Sequence, residues 1–222
     1  MITSNQLPKQ IIIFFGPPGS GKGTQTRMLA EKFGLFYLGC GDILRDTVKA
    51  GGNVAKTIKE YQKQGKLVPT EIVTEIFIEK LKEALSGGVG VVLDGYPRDI
   101  YQAKALDNVL KEIDNVSVKV ILIDLDKNIA SDRILKRKTC ARCKQTIPYT
   151  EETKNLKRCP DCGGELIVRS DDSKETVQER RQTYEKETEP LIDYYGDQII
   201  KIDGEPKIEE IFQDIVSKIT NI

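Results

Sequence analysis

The residues from Gly16 to Thr24 constrain the fold of this chain more than any other stretch. They read GPPGSGKGT, follow the apolar run Ile11–Phe15, and precede a segment in which apolar residues have helical spacing. This order predicts a buried strand, a glycine-rich turn and the start of a helix. Backbone N–H groups in such a turn, together with the positive end of the helix dipole, bind phosphate groups. The alternative is a glycine-rich loop without a ligand, but the order of strand, glycines, lysine and helix favours a phosphate site.

Lys22 and Thr24 supply polar side chains to this predicted phosphate loop. Lys22 would reach the terminal phosphates of a bound nucleotide, and Thr24 would support a hydrated Mg²⁺ ion. In the usual pattern a serine or threonine directly follows the lysine, whereas this chain has Gly23 there and Thr24 one residue later.

Further strand candidates alternate with helical patterns along the rest of the chain. They lie at residues 35–38, 89–93, 118–125 and 199–202. This alternation predicts an α/β fold with a five-stranded parallel sheet flanked by helices, and ligands bind at the carboxyl edge of such sheets. The capping patterns predict that Thr70 and Asp126 each cap a helix, and that Asp172 and Glu175 form a capping box.

Asp94 and Arg98 come just after one of these strand candidates. An acid at the carboxyl end of a parallel strand, beside a phosphate loop, is where hydrated Mg²⁺ is held. Arg98 could bind a phosphate through a bidentate fork. The alternative for Asp94 is a turn former. Arg45, in an earlier predicted helix, is either an anion ligand or a solvated charge.

The charges of the chain balance, with 34 Lys+Arg against 34 Asp+Glu. This balance argues against bulk attraction to nucleic acid or membranes, although it leaves room for local patches. The first residues do not resemble a signal peptide, and no apolar run approaches membrane-spanning length, so we expect a cytoplasmic protein with no membrane partner. The chain has no histidine, which excludes histidine as a base, nucleophile or metal ligand.

Four of the five cysteines form two C-x-x-C pairs, which are Cys140 with Cys143 and Cys159 with Cys162. The 15 residues between the pairs give a spacing that predicts a closed, structural Cys₄ zinc site. Two redox pairs are the alternative.

The segment around these cysteines is basic. Between Arg133 and Arg169, basic residues outnumber acidic ones ten to four, so the segment would be attracted to a polyphosphate. Because it interrupts the α/β pattern and has arginines at both ends, we interpret it as a lid. A zinc ribbon that binds nucleic acid would carry the same charge.

Taken together, these motifs closely resemble the adenylate kinase family, in its long-lid, zinc-binding form, over about residues 10–220. The matching motifs are Gly16–Thr24, Gly41–Arg45, Gly65–Val68, Asp94–Arg98 with Gln102, Arg133 with Arg137, the four cysteines, Arg169 with Asp171 and Asp172, and Arg180. The resemblance implies the P-loop nucleoside monophosphate kinase fold, with a core (1–39, 70–137 and 171–222), an AMP-binding flap (40–69) and a zinc lid (138–170). It also implies a monomer that converts ATP and AMP to two ADP, with Mg²⁺ as cofactor and no nucleic-acid partner.

The same resemblance implies which residues bind each ligand. The implied ATP contacts are Gly19, Ser20, Gly21, Lys22, Gly23, Thr24, Arg133, Arg137, Thr146, Ile147 and Pro206. The implied AMP contacts are Cys40, Arg45, Lys66, Leu67, Val68, Gly95, Tyr96, Pro97, Arg98, Gln102, Arg169 and Arg180. The implied catalytic set is Lys22, Arg98, Arg137, Arg169, Arg180, Asp171 and Asp172. Thr24 and Asp94 would hold Mg²⁺ through water, and the four cysteines would bind structural Zn²⁺.

Cys40 departs from the family pattern, which has serine or threonine at this position. A thiol is a weaker hydrogen-bond partner than a hydroxyl, and uridylate–cytidylate kinases also lack that hydroxyl. A UMP/CMP kinase is therefore the alternative enzyme, and a nucleic-acid-binding zinc ribbon is the alternative outside enzymes. The long lid and Gln102 favour AMP as the acceptor.

Overall fold

The computed structural model describes residues 10–63, 68–113, 116–168 and 172–220. The strands are β1 (Gln10–Phe15), β2 (Phe36–Gly39), β3 (Val91–Asp94), β4 (Ser117–Asp124), β5 (Lys138–Cys140), β6 (Thr146–Ile147), β7 (Leu166–Ile167) and β8 (Ile199–Asp203). The helices are α1 (Lys22–Phe33), α2 (Cys40–Ala50), α3 (Gly52–Lys63), α4 (Thr70–Ser86), α5 (Ile100–Lys111), α6 (Lys127–Lys136), α7 (Lys174–Thr183), α8 (Pro190–Tyr195) and α9 (Ile208–Thr220). A π-helical turn at Tyr184–Thr188 precedes α8, and a 3₁₀ turn at Gly196–Gln198 follows it.

Strand β1 lies at the centre of a five-stranded sheet with the order β2-β3-β1-β4-β8. All of its pairings are parallel, which confirms the predicted sheet. The register pairs Asp94 with Phe14 on one side and with Gly39 on the other. The carboxyl ends of the three neighbouring strands therefore meet at one edge, where the loops after them can share a ligand.

Helices cover both faces of the sheet, because alternate residues of β1 point to opposite faces. Ile11, Ile13 and Phe15 belong to one apolar cluster, with residues of α4, α5 and α8. Ile12 and Phe14 belong to a second cluster, with residues of α1 and α9. The last helix, α9, contributes Ile211, Phe212, Ile215 and Ile219 to this second cluster.

The first turns of α6 and α4 test two of the predicted caps. Asp126 caps α6 as predicted, because its carboxylate accepts two backbone N–H groups of the first turn. The prediction for Thr70 is wrong. Pro69 occupies the N-cap position of α4, and the Thr70 hydroxyl donates to Asp99 instead.

The predicted capping box of Asp172 and Glu175 is also wrong. Ser173 caps α7, and its hydroxyl accepts the N–H of Thr176. The carboxylate of Asp172 instead accepts hydrogen bonds from two arginines. A cap contributes only about 1 kcal/mol, whereas a buried carboxylate requires charged or hydrogen-bonding partners.

A small antiparallel sheet with the order β6-β5-β7 stands between α6 and α7 in the chain and carries the cysteine segment. Among the residues that the structure describes, its buried apolar cluster comprises Cys140, Ile147 and Cys159, with Cys162 and Leu166 packed against it. So small a core needs a further source of stability, such as a bound metal. Within the described ranges, no helix is long and apolar enough to cross a membrane.

Candidate active site

The loop between β1 and α1 curls around the ammonium group of Lys22. The Nζ atom donates to the carbonyl oxygens of Gly16 at 2.5 Å and Pro17 at 2.9 Å. Lys22 is the first residue of α1, and Gly21 before it has a left-handed backbone with φ 93°. The predicted order of strand, glycine-rich turn and helix is confirmed. It places Lys22 and the positive end of the α1 dipole at the carboxyl edge of the sheet.

Two glycines allow this loop to lie close to its neighbours. A Cβ atom on Gly16 would lie 2.5 Å from the carbonyl oxygen of Ile123, and one on Gly19 would lie 2.1 Å from that of Ala130. Both glycines also have positive φ angles. Any side chain at either position would push the loop away from β4 or α6.

Asp94 ends β3 beside the first turn of α1. A Cβ atom on Gly23 would lie only 3.1 Å from the Asp94 Oδ2, so glycine after Lys22 lets the carboxylate approach the phosphate loop closely. Tyr37 donates its hydroxyl to the same oxygen at 2.9 Å. Burial, together with the charge of Asp94, raises the pKa of Tyr37. Its hydroxyl therefore stays protonated and keeps the carboxylate in place.

The charges of Asp94 and Arg98 both act on the ammonium group of Lys22. Burial lowers the pKa of Lys22 to about 8, from an ordinary value of 10.5. The carboxylate of Asp94 opposes this lowering, and the guanidinium group of Arg98 adds to it. Because a nearby anion favours the charged form of lysine, a phosphate group bound here would raise the pKa of Lys22 again.

Hydrogen bonds on three sides hold Arg98. Its Nε donates to the carbonyl oxygen of Gly95 at 2.8 Å, and its backbone N–H donates to Gln102 Oε1 at 2.8 Å. Its carbonyl oxygen accepts the hydroxyl of Thr188, in the π-helical turn, at 2.8 Å. The turn after α7 therefore helps to fix the loop that carries Arg98.

Tyr96 anchors the same loop in the core. Its side chain is fully buried and stacks on Phe77, with ring centroids 3.9 Å apart. The peptide bond between Tyr96 and Pro97 is cis. Arg98 thus follows two buried residues and is itself exposed at the edge of the sheet.

Asp172 joins two of the predicted catalytic arginines. Its side chain has no exposed surface. Arg137 binds it through two hydrogen bonds, from Nε to Oδ2 at 2.6 Å and from Nη2 to Oδ1 at 2.7 Å. Arg180 donates from Nη1 to Oδ1 at 3.1 Å. The end of α6 and the helix α7 are therefore connected through one buried carboxylate.

Arg133 reaches from α6 to the loop after β8. Its guanidinium group donates to the carbonyl oxygens of Gly204 at 2.8 Å and Glu205 at 3.3 Å. Pro206 follows directly and is exposed. The structure thus brings Arg133 close to the chain segment of Pro206, as their predicted common role in ATP binding requires.

The four cysteines of the lid form one cluster. Their Sγ atoms all lie within 4.8 Å of one another, with 3.4 Å between Cys140 and Cys162 and 3.7 Å between Cys143 and Cys159. Tetrahedral zinc with bonds of about 2.3 Å needs sulfur atoms about 3.8 Å apart. The backbone N–H of Cys143 lowers the pKa of Cys140, which favours the thiolate that binds metals. Against the hydrogen bond from the backbone N–H of Gln145, burial and the neighbouring thiols raise the pKa of Cys143. The donor set and its spacing therefore fit a zinc site.

Comparisons with known proteins agree with this geometry. The family model described as Adenylate kinase matches residues 14–200. The chain belongs to the adenylate kinase family. It is 42% identical over 213 residues to the adenylate kinase of Alkaliphilus oremlandii, covering 94% of this chain and 97% of that one. It is 41% identical to the enzyme of Archaeoglobus fulgidus, covering 92% and 95% of the two chains.

A third relative, the adenylate kinase of Kosmotoga olearia, is 37% identical and covers 95% of this chain and 99% of its own. The similarity therefore extends over the parallel sheet and the cysteine segment alike. The chain is an ATP:AMP phosphotransferase, in agreement with the function predicted from its motifs.

The structure describes part of the segment of residues 40–69, for which an AMP-binding role is predicted. Cys40 begins α2 and is buried, and burial raises the pKa of its thiol. Arg45, on the same helix, donates to Asp42, and Val68 packs against the core cluster on the α4 face of the sheet. Thr146 and Ile147 form β6 of the lid. Four predicted site residues, namely Lys66, Leu67, Arg169 and Asp171, lie outside the described residues.

Arg27 and Tyr37 gave no interpretable sequence pattern. Asp42 accepts from both Arg27, at 2.6 Å, and Arg45. The guanidinium group of Arg27 also lies over the ring of Tyr37, 4.1 Å from its centroid. A series of contacts therefore runs from Arg45 of α2 to Asp94 beside the loop between β1 and α1, and only the tertiary structure reveals it.

Proposed function

We propose that this adenylate kinase transfers the γ-phosphoryl group of MgATP directly to AMP, with the predicted residues in the roles given above. The observation that carries the proposal is the close grouping of Lys22, Asp94 and Arg98 at the carboxyl edge of the sheet. The pairing of Arg137 and Arg180 on Asp172 supports it, because it provides further cations from α6 and α7.

The proposed transfer needs little acid–base catalysis. The second pKa of a phosphate monoester is about 6, so the attacking oxygen of AMP is already ionised at neutral pH. This is consistent with a chain that has no histidine. The transition state requires positive charge around the equatorial oxygens of the transferred group. Lys22, Arg137, Arg169 and Arg180 would supply that charge, while Arg45 and Arg98 hold the phosphate of AMP.

Thr24 and Asp94 are the residues proposed to hold hydrated Mg²⁺. One lies in the first turn of α1 and the other at the end of β3, and both offer the oxygen atoms that Mg²⁺ prefers. When bound, the ion neutralises charge on the β- and γ-phosphates. Tyr37 would keep the Asp94 carboxylate oriented toward that position.

The proposed core, AMP flap and lid each contain whole helices or strands. Helices α2 and α3 fall within the proposed AMP flap of residues 40–69, and β5, β6 and β7 fall within the proposed lid of 138–170. The rest, residues 1–39, 70–137 and 171–222, would form the core. We expect a monomer that does not bind nucleic acid, which sedimentation analysis and retention on DNA or RNA columns at varied salt would check.

The experiment that tests the acceptor assignment compares AMP, CMP, UMP and GMP with ATP as the donor. We expect kcat/KM for AMP to exceed the values for the others, and by at least about 100-fold for GMP and UMP, whose base edges would leave polar groups of the site unpaired. Equal or faster turnover of UMP and CMP would show that the change to Cys40 has altered the acceptor specificity.

Replacing Cys159 with serine should remove the metal and lower the melting temperature by about 5–10 °C, since the lid has only a small core and each kcal/mol shifts Tm by a few degrees at this length. Metal analysis should find one zinc per wild-type chain and none in C159S. Turnover at low temperature should change much less than stability. C40S is the matched control, because Cys40 lies outside the cluster and its replacement should leave the zinc in place. A freshly purified wild-type protein without zinc would contradict the assignment.

A further inference from the structure

The amide of Gln102 is held at both ends near the start of α5. The side chain is buried, with 4% of its surface exposed. Its Oε1 accepts the backbone N–H of Arg98 at 2.8 Å, and its Nε2 donates to the hydroxyl of Thr70 at 3.0 Å. Thr70 in turn donates to Asp99 Oδ2 at 2.7 Å. These contacts form a single chain of hydrogen bonds across the gap between α4 and α5.

The groups at the two ends of this series of hydrogen bonds determine which atom donates and which accepts at each step. The backbone N–H of Arg98 can only donate, and the carboxylate of Asp99 at neutral pH can only accept. Because the one hydroxyl hydrogen of Thr70 is committed to Asp99, Thr70 must accept from Gln102. The oxygen of the Gln102 amide therefore faces Arg98 and its nitrogen faces Thr70. A rotation of the amide that exchanged the two atoms would break both hydrogen bonds.

Asp99 is held in place by a separate bond. Its Oδ1 accepts the backbone N–H of Gln102 at 2.8 Å, as the N-cap of α5. The second oxygen is thereby aimed at Thr70. The sequence distance between Thr70 and Asp99 explains why no local pattern indicated this pairing.

We propose that Thr70 and Asp99 are positioning residues that determine which bases this enzyme accepts. The inference rests on the proposed contact between Gln102 and the acceptor base. The Gln102 amide has one lone pair on Oε1 and one N–H on Nε2 left for that contact, and their order is fixed. The accepted base must offer an amino hydrogen to Oε1 and a ring nitrogen to Nε2.

Adenine has this edge, in its 6-amino group and N1. Hypoxanthine, guanine and uracil present a carbonyl oxygen beside a ring N–H, which is the reverse order. To bind such an edge, the amide of Gln102 would have to turn over. Its NH₂ group would then face the N–H of Arg98, and Thr70 would lose its donor, which leaves buried polar groups unpaired. The network therefore selects 6-aminopurine monophosphates over their 6-oxo analogues.

The test compares AMP with inosine monophosphate, which differ at the 6-position of the purine. With wild-type enzyme and ATP, kcat/KM for AMP should exceed that for inosine monophosphate by at least about 100-fold. Thr70→Val removes the hydroxyl at nearly constant volume, and should reduce this ratio about tenfold, the value of one hydrogen bond. The KM for ATP should not change.

Two further variants separate positioning from simple loss of structure. Thr70→Ser keeps the hydroxyl and should keep the wild-type ratio. Asp99→Asn keeps an oxygen for the α5 cap but adds a donor, so Thr70 can turn its hydroxyl toward Gln102, and the ratio should fall even if T70V folds poorly. A general destabilisation would affect both acceptors equally and leave the ratio unchanged.

Gln102→Ala distinguishes the inference from the proposal on which it rests. If Q102A lowers the ratio while T70V and D99N leave it at the wild-type value, the inference is overturned and the base contact of Gln102 stands. If Q102A itself leaves the ratio unchanged, Gln102 does not read the base, and the positioning role of Thr70 and Asp99 is overturned with it.

Discussion

Replacing Lys22 with alanine should lower kcat by about 100- to 1,000-fold, the usual cost of removing one preorganised donor from a transition state. In the structure the ammonium group lies inside the phosphate loop, bonded to the carbonyls of Gly16 and Pro17. Steady-state turnover with saturating ATP and AMP measures the effect.

Lys32→Ala is the matched control, since it removes the same group from an exposed position near the end of the same helix. It should leave kcat within about twofold of wild type, because surface substitutions away from special features have small effects. Circular dichroism should show both variants folded. Turnover of K22A close to the wild-type rate would contradict the role given to Lys22.

The pH dependence provides a second check on Lys22. Its pKa is lowered to about 8 by burial, so the free enzyme loses this cation as the pH rises through 8. Because kcat/KM reports the pKa values of the free enzyme, kcat/KM for ATP should fall above about pH 8. Lys22→Arg should move the fall to higher pH, since arginine stays charged. If kcat/KM for ATP falls over the same pH range in K22R as in wild type, the fall is caused by the titration of a group other than Lys22.

Local patterns predicted the elements of this site well. The phosphate loop is a glycine turn and a helix start within the nine residues Gly16–Thr24, and the hydrophobic run before it fixes its place in the sheet. The two cysteine pairs likewise carry their ligand spacing in the sequence. The prediction for Asp94 depends on its place at the end of a strand, because the edge of a parallel sheet is where such residues meet.

The remaining contacts depend on which elements become neighbours. Thr70 and Asp172 both looked like helix caps, and both are taken up by partners on other segments. Tyr37 reaches Asp94 only because β2 pairs with β3. A capping pattern is a weak local preference of about 1 kcal/mol, so a buried charge or a hydrogen-bond network formed by the tertiary structure overrides it.

Replacing Asp172 with alanine should destabilise the fold by about 3–5 kcal/mol, which is the usual result of removing one member of a buried ion pair. The Asp172 carboxylate has no exposed surface, and Arg137 and Arg180 share its negative charge. Without it, two guanidinium groups remain close together beside the lid. At this chain length the melting temperature should fall by about 10 °C.

Asp132→Ala is the matched control for this variant. It removes a carboxylate that pairs with Lys136 on the surface of α6, where both side chains are about half exposed or more. Such pairs contribute at most about 1 kcal/mol, so D132A should melt close to wild type. Chemical denaturation of both variants measures the difference. Equal loss of stability in the two would show that Asp172 does not act as a buried counter-charge.

The double variant Arg137→Met with Asp172→Ala identifies why D172A loses folding stability. If the cost of D172A comes from concentrating positive charge, removing one guanidinium group should recover part of it, and the double variant should be more stable than D172A alone. If the two losses simply add, Asp172 and Arg137 are not energetically coupled. Because Arg137 would also lie on the transferred phosphate, the double variant should stay nearly inactive while it regains stability, which separates the role of this pair in folding from its role in transfer.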